Sequence, residues 1–280
     1  TENGINFTRE ITISDNIDEE NNDNLVQQEV NVEVTWQDSH ILLDTVIADK
    51  RHKEYALDFD GSDEYVEIFN SDSLGINGSF TVEFWFKPDK KPKNGTSVVL
   101  AAERNIESNN FSWHFEYLST GKVQFKTNES VEPVKTKKVI DTGDWHHIAG
   151  IYTGSKQNIY LNGESSNRND GNYSINSTKT YSLFLAKSYN GNYSNYNGQM
   201  KRLRIWNKDR SDDIEGNYDN INNVYKPINF DFKEVNVSDI GLKGYWELNE
   251  GTGDTIYDYI EGNNGKIKNN ANYKKVFWWQ

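Results

Sequence analysis

The sequence of 280 residues contains no cysteine, only four prolines and an excess of acidic over basic residues. Without cysteine, a disulfide scaffold, a cysteine nucleophile and a zinc–thiolate site are excluded. No run approaches the ~18 consecutive apolar residues that a membrane helix requires, so membrane insertion is not expected. The formal net charge of -13 argues against a nucleic-acid backbone as partner.

Aromatic rings supply much of the apolar content. Only 35% of the residues are hydrophobic, yet the chain holds 8 Trp, 16 Tyr and 13 Phe. Disordered chains are poor in aromatic residues, because they cannot bury enough apolar surface to offset the entropy of folding. The composition therefore indicates a folded protein whose core is built largely from rings.

The acidic charge is concentrated at the N-terminal end. Residues 1–50 contain 12 Asp and Glu against two basic residues, and the remaining 230 residues are nearly neutral. The acidic stretch 15–23 is typical of a solvated loop, and strand-like pieces flank it at 5–13 and 30–36. We therefore separate an acidic N-terminal arm, residues 1–54, from a domain at 55–280. The arm is interpreted as an extra strand, an interdomain linker or the tail of a preceding domain.

From residue 55 onward the pattern is that of an all-β protein. Apolar and polar residues alternate within short runs that turn residues separate every 8–15 residues, which favours a β-sandwich over βαβ units. The predicted strands are 55–60, 65–69, 80–87, 97–102, 111–118, 123–125, 145–152, 158–161, 181–186, 200–206, 243–248 and 276–279. One short helix is predicted at 211–218, with Ser211 as its N-cap and two aspartates in its first turn.

Four motifs, in this order, resemble one family. They are ALDFDGSDEYVEI from Ala56, SFTVEFWFKP from Ser79, DWHHIAGIYTG from Asp144 together with NIYLNGE from Asn158, and GQMKRLRIWNKDRS from Gly198. Together they resemble the laminin-G-like and pentraxin-like branch of the concanavalin A-like jelly rolls, over about residues 55–260. The resemblance implies two antiparallel sheets of six or seven strands, and a role in binding glycans or proteins.

Catalysis is not expected. Glycosidases with related folds carry the pattern Glu-x-Asp-x-x-Glu on one strand, so that paired carboxylates act as nucleophile and acid, and this chain lacks it. The resemblance implies that His146 and His147 are architectural. Arg204 and Trp206 are predicted to pack across the back sheet.

The sequence allows two interpretations of a possible calcium site. Where relatives often hold calcium through an aspartate, this sequence has Lys201. Our hypothesis is that the Lys201 ammonium lies near Asp58 or Asp60. Either Lys201 pairs with these carboxylates in place of a metal ion, or the acidic residues retain a structural calcium site.

Two surfaces are candidates for ligand binding. Strand parity predicts a polar concave face with interspersed rings, which includes His114, Glu116 and Tyr160. The loop 187–198 combines tyrosines with asparagines, as adaptable recognition surfaces do, through Tyr189, Asn190, Asn192, Tyr193 and Tyr196. The alternatives are an ordinary solvated sheet face and an Asn-rich loop of no function.

The sequence thus predicts a non-catalytic binding module of a secreted or cell-surface bacterial protein such as a toxin, adhesin or glycosidase. The expected partner is a glycan or a glycoprotein receptor, and further domains of a larger parent protein are also expected. The alternative is a structural, self-assembling jelly roll whose acidic arm pairs with the sheet edge of a neighbour.

Overall fold

The computed structural model of the protein describes most of the chain. The described residues are 7–16, 26–36, 39–49, 52–69, 74, 76, 78–105, 110–128, 130–170, 181–187, 195–216, 218–219, 224–225 and 241–278. The chain divides into two compact units, Thr1–Glu54 together with Lys275–Gln280, and Tyr55–Lys274. That residues 55–280 form a domain of their own stays a prediction, because the last six residues group with the N-terminal unit.

The first unit contains a three-stranded antiparallel sheet. Its strands are β1 (Phe7–Asn16), β2 (Val26–Trp36) and β3 (Ser39–Asp49), in the order β1-β2-β3. The described residues of the arm up to Asp49 are therefore in strands, and its three interpretations stay predictions. Two details differ from the sequence prediction: Asp15 lies within β1, paired with Gln28 of β2, and β3 was not predicted.

The second unit is a sandwich of two antiparallel eight-stranded sheets. The first sheet has the order β10-β9-β8-β7-β14-β5-β20-β19, and the second has the order β13-β12-β11-β6-β15-β4-β21, with β18 paired to β15. The strands of these two sheets are β4 (His52–Asp60), β5 (Tyr65–Ile68), β6 (Phe80–Pro88), β7 (Ser97–Arg104), β8 (Phe111–Leu118), β9 (Val123–Lys126), β10 (Val134–Lys135), β11 (His146–Tyr152), β12 (Lys156–Leu161), β13 (Glu164–Asp170), β14 (Ser182–Leu185), β15 (Asn197–Trp206), β18 (Leu242–Trp246), β19 (Thr255–Ile256), β20 (Gly265–Lys268) and β21 (Asn272–Trp278). Two further strands, β16 (Tyr218–Asp219) and β17 (Val224–Tyr225), form a separate two-stranded sheet.

The predicted jelly-roll architecture is confirmed, and most predicted strands coincide with observed ones. Strands β13 and β20 were missed: β13 is strongly polar and β20 begins with glycine, so neither shows a clear apolar alternation. Each sheet holds eight strands rather than the six or seven that the resemblance implies. The additional strands include the two-residue β10 and β19 at the edges of the first sheet.

The core is an aromatic layer between the two sheets. Phe84 of β6 packs edge-to-face on Phe115 of β8, with ring centroids 5.2 Å apart, a favourable geometry for ring quadrupoles. Gly150 of β11 makes room for these rings, because a Cβ there would lie 2.6 Å from atoms of both Phe115 and Phe125. The alternating rings predicted from the sequence are therefore the residues that join the sheets.

Strand β15 changes partners halfway along its length. Its first half pairs with β4 and its second half with β18, while β6 runs along its other side. The change occurs at Arg202, whose φ of 56° is left-handed and whose Nε donates to Glu247. The resulting register shift places Arg204 directly opposite Glu83 of β6.

The helix α1 (Ser211–Gly216) follows β15. It begins at the predicted N-cap but ends at Gly216 rather than at residue 218, and Tyr218 belongs to β16. Glycine lacks a Cβ and favours helix ends over helix interiors. In the described part of the chain, no helix has both the length and the apolar character needed to cross a bilayer.

Candidate functional site

A buried ionic cluster occupies the outer face of the second sheet. Glu83 of β6 accepts hydrogen bonds from Trp206 Nε1 at 2.8 Å, from His147 Nε2 at 2.9 Å and from the guanidinium of Arg210. Arg204 contributes a further positive charge, 3.9 Å from the carboxylate. These five residues are called the Glu83 cluster.

The cluster is held in a defined charge state by its surroundings. Burial alone would raise the pKa of the Glu83 carboxyl, but the charge of Arg210 and the hydrogen bond from His147 outweigh burial and hold the pKa well below its usual range. Burial lowers the pKa of His147 despite the opposing charge of Glu83. A neutral imidazole therefore donates to an ionised carboxylate at pH 7.

The cluster closes the outer face of the sheet. The Arg210 guanidinium stacks on the Trp206 ring at 4.0 Å, and Thr81 donates to the carbonyl of Lys208. The prediction that Arg204 and Trp206 pack across the back sheet is confirmed. His147 is buried as a hydrogen-bond partner of Glu83, 2.9 Å from its carboxylate.

Tyr160 is also buried on the outer face of the second sheet. Strand register places it in one row with Ala149 and Glu83, and its hydroxyl accepts a hydrogen bond from Asn158 Nδ2 at 3.0 Å. Its hydroxyl also bonds Ser211 at the start of α1, and burial raises its pKa. With only 2% of its surface exposed, Tyr160 offers no platform to a ligand in this conformation.

His114 and Glu116 lie on the other sheet. Both belong to β8, and the cross-strand row of His114 contains Lys126 of β9, Ala102 of β7 and Phe184 of β14. The predicted single face of His114, Glu116 and Tyr160 is therefore wrong: these side chains lie on the outer faces of two different sheets. Parity assigns a residue to one side of its strand, but it does not say which sheet the strand joins.

His114 is stacked and buried rather than exposed. Its ring lies over Phe111 with centroids 4.1 Å apart, and 5% of its surface is exposed. Glu116 accepts hydrogen bonds from Gln124 Nε2 at 2.8 Å and from Ser97 Oγ at 3.3 Å. Burial, assisted by the charges of Lys126 and Arg104, lowers the pKa of His114 to about 3.

This low pKa predicts a pH dependence of stability. Below about pH 6.5 the unfolded chain protonates His114 whereas the folded chain does not, so folding becomes less favourable as the pH falls from 6.5 towards 3. We expect His114→Gln to remove about 2 kcal/mol of the stability change between pH 7.5 and pH 5, measured by urea unfolding at both values. Equal pH dependence in variant and wild type would contradict the prediction.

The predicted recognition loop is partly described. Tyr189, Asn190, Asn192 and Tyr193 lie outside the described residues. Tyr196 lies in the core: 2% of its surface is exposed, its ring packs on Phe59, and its hydroxyl donates to the Gln199 carbonyl at 3.1 Å. The prediction that Tyr196 presents its ring to a ligand is wrong, since the chain turns inward as β15 begins.

A cavity of about 400 Å³ lies where β4 and β6 end and β15 begins. Three segments form its walls: the C-terminal end of the loop 187–198, which is called the Tyr/Asn loop, the turn after β4, and the turn between β6 and β7. The lining residues are Gly61, Lys90, Lys91, Pro92, Lys93, Val98, Asn195, Tyr196 and Asn197. Two asparagines and three lysines are thus among the residues that line a space within the range of ligand pockets, ~300–1,000 Å³.

Hydrogen bonds from backbone and side-chain donors position these walls. Asp89 N–H donates to the Asn197 carbonyl at 3.0 Å, and Asn197 Nδ2 donates to the Asp60 carbonyl. Thr96 closes the β6–β7 turn by donating to the Lys93 carbonyl through both its N–H and its hydroxyl, at 2.9 and 2.8 Å. The three lysines were not singled out from the sequence. The run KKPK, in a chain with net charge -13, was the signal that could have found them.

The acidic residues considered for calcium lie next to this region. Asp58 accepts a hydrogen bond from Gln199 Nε2 at 2.8 Å, and Asp60 accepts one from Ser62 N–H at 2.7 Å. Lys201 is 1% exposed, with its ammonium 5.3 Å from the Trp145 ring centroid. Among the described residues, no three His, Asp or Glu side chains are grouped so as to hold a metal ion. The Lys201 ion pair and the calcium alternative both stay predictions.

The fold is a two-sheet antiparallel jelly-roll sandwich, and sequence comparison identifies its superfamily. Residues 60–213 match the model of a family of the concanavalin A-like lectin/glucanases superfamily, which is more than half of the chain. The chain belongs to this superfamily, and the resemblance drawn from the motifs is confirmed. Comparison with curated proteins finds no significant sequence match.

Solved structures with this fold are distant in sequence. A candidate carbohydrate-binding protein from Bacteroides ovatus superposes with a TM-score of 0.58 at 16% identity, covering 90% of this chain and 68% of its own. A heptameric pentraxin from Limulus polyphemus gives 0.45 at 13% identity, covering 58% and 81%. Domains LG4–5 of the mouse laminin α1 chain give 0.43 at 10% identity, covering 65% of each chain. At 16% identity, the similarity to the Bacteroides ovatus structure supports the fold alone.

Proposed function

We propose that this chain is a non-catalytic glycan-binding module of a secreted or cell-surface bacterial protein, such as a toxin, adhesin or glycosidase. The observation that carries the proposal is the cavity at the base of the Tyr/Asn loop. Its amides and ammonium groups provide the directed hydrogen bonds that sugar hydroxyls require. The carbohydrate-binding role assigned to the similar Bacteroides ovatus protein supports the same class of ligand.

A binding role fits the carboxylates better than a hydrolytic one does. A glycosidase needs two carboxylates that flank the scissile bond, one of them ready to donate a proton. Glu83 is enclosed by Arg210, Trp206 and His147, and its lowered pKa keeps it ionised and unable to act as an acid. Glu116 is buried under hydrogen bonds from Gln124 and Ser97.

The test is a glycan array probed with the labelled chain, followed by calorimetry on the strongest saccharide. We expect binding as a monomer, both with calcium and with chelator. Loss of binding in chelator would assign calcium a role in the site. A chain that binds no saccharide and associates with itself would contradict the proposal and favour the structural alternative.

The Tyr/Asn loop is expected to supply the ring that packs on the sugar. Truncation of a central interface ring costs about 2 kcal/mol or more, so we expect Tyr193→Ala to lower the affinity tenfold or more, measured by calorimetry. The melting temperature should hardly move, since surface changes usually alter stability by under ~0.5 kcal/mol.

Tyr257→Ala is the matched control, because Tyr257 is 50% exposed and does not line the cavity. Its affinity should equal that of the wild type. If Tyr193→Ala binds normally while Tyr257→Ala does not, the site lies on another surface. Tyr196→Ala is unsuited to this comparison, since a core ring that is lost destabilises the fold.

A further inference from the structure

The cavity carries a charge opposite to that of the whole chain. Its described lining residues include three lysines and no carboxylate, although acidic residues outnumber basic ones by 43 to 30 over the sequence. All three lysine side chains are exposed, whereas Pro92 between them is buried. Because proline restricts its own φ, the turn is held while the lysine stems extend from it.

Two neighbouring carboxylates, Asp60 and Asp89, lie outside the lining of the cavity. Asp60 is fully exposed, and its pKa is lowered by hydrogen bonds with Glu64 and Ser62 and, to a smaller degree, by the charge of Lys90. Asp89 is exposed and precedes the lysines in the same turn.

The opposite wall is neutral and polar. Asn195 and Asn197 are half-buried, and the Asn197 amide is oriented by its hydrogen bond to the Asp60 carbonyl. Amides bind hydroxyl groups with defined directions, and ammonium groups bind carboxylates and sulfates through short charge-assisted hydrogen bonds. The two walls together match a polyhydroxylated ring that bears one anionic group.

We propose that the cavity selects acidic glycans, with a sugar carboxylate or sulfate ester held by Lys90, Lys91 and Lys93 and the ring hydroxyls facing Asn195 and Asn197. This inference rests on the proposed function, because it names the class of glycan that the same site binds. The carboxylate and the sulfate share one chemistry, that of a compact anion with several acceptor oxygens.

The experiment compares lactose, 3′-sialyllactose and 3′-sulfolactose, together with glucuronate- and glucose-terminated disaccharides, by calorimetry on the full chain. We expect at least tenfold tighter binding of an acidic member than of its neutral counterpart. The sialyl and glucuronyl members report a carboxylate preference, and the sulfated member reports a sulfate preference. Raising the salt concentration from 0.05 to 0.5 M should weaken this preference, because salt screens the ammonium groups.

The triple variant Lys90→Gln, Lys91→Gln, Lys93→Gln should lose the preference for the acidic member, with a fall in affinity of tenfold or more. The matched control is Lys135→Gln, Lys137→Gln, Lys274→Gln, which removes the same charge from exposed lysines outside the cavity. Its affinity should stay within twofold of the wild type. Both variants should melt like the wild type. Should the triple variant melt lower, the single variant Lys93→Gln takes its place.

The two proposals fail in different ways. Equal binding of acidic and neutral saccharides, unchanged in the triple variant, would overturn the selectivity for acidic glycans and leave glycan binding intact. An equal loss of affinity in the triple control variant would also overturn the selectivity proposal, because the effect would then come from net charge alone. Binding of no saccharide in any arm would overturn the proposed function itself.

Discussion

Glu83→Gln is expected to destabilise the protein by about 3–5 kcal/mol, the cost of removing one partner from a buried ion pair. Glutamine retains the shape of the side chain but not its charge, so Arg204 and Arg210 would lose the buried carboxylate between them. Arg210 would keep its contact with Asp213, which is 3.1 Å from its Nε and half exposed. The measurement is urea unfolding at pH 7, followed by the fluorescence of the tryptophans.

The matched control is Glu261→Gln. Glu261 and Lys243 form an exposed ion pair with a separation of 3.8 Å, and exposed pairs contribute about 0–1 kcal/mol. A loss below 1 kcal/mol in both variants would show that the Glu83 cluster does not hold the outer face closed. A loss in Glu83→Gln alone identifies burial, rather than charge as such, as the cause.

The ionisation of Glu83 also predicts an acid limit. Its pKa in the folded protein lies below the ordinary value of 4.5, so its contribution to stability is complete above that value and is lost as the pH falls further. The wild type should therefore lose stability below about pH 4.5 more steeply than Glu83→Gln, after allowance for the remaining carboxylates.

Gly198→Ala is expected to cost about 3 kcal/mol or more. The φ of Gly198 is 144°, a value that residues with a Cβ rarely adopt, and a Cβ there would lie 2.2 Å from the Lys87 carbonyl oxygen and 2.8 Å from the Tyr196 hydroxyl. The backbone strain and the steric overlap each cost ~1–3 kcal/mol. Because 1 kcal/mol corresponds to ~2–4 °C in a unit of this size, calorimetry should show a melting temperature lowered by about 10 °C.

Gly95→Ala separates strain from overlap. Gly95 has a φ of 78°, and nothing lies within 4 Å of its added Cβ, so only the left-handed backbone is penalised, by ~1–2 kcal/mol. If Gly198→Ala and Gly95→Ala melt at the same temperature, the contact with Lys87 does not constrain the start of β15. Gly198 adjoins Asn197, so a shifted β15 should also weaken glycan binding.

Much of the sandwich was predictable because its cause is local. Alternation of apolar and polar residues in β6 and β8 identifies both strands and the side of each strand that meets the core. Phe84 and Phe115 pack against each other as that alternation requires. Ser211 likewise marks the start of α1, although its N–H and hydroxyl donate to Asp209 rather than capping the helix as predicted.

The candidate site was predictable only in part. The Tyr/Asn loop was identified by composition, and its described end, Asn195 to Asn197, lines the cavity. The lysines of the opposite wall were missed because they lie about a hundred residues earlier in the chain. Tyr196 was misplaced because nothing in its immediate sequence shows that the chain has already turned inward towards Phe59.

The sequence by itself determined the strand parity, the aromatic composition of the core, the start of the helix and the family to which the chain belongs. Only the tertiary structure decided that His114 and Tyr160 lie on different sheets, that Arg204 stands opposite Glu83, and that Lys90, Lys91 and Lys93 line one cavity with Asn195 and Asn197. The physical reason is that parity, caps and turns depend on neighbours along the chain. Strand partners and cavity walls depend on hydrogen bonds and packing between segments far apart in sequence, and no local pattern encodes these.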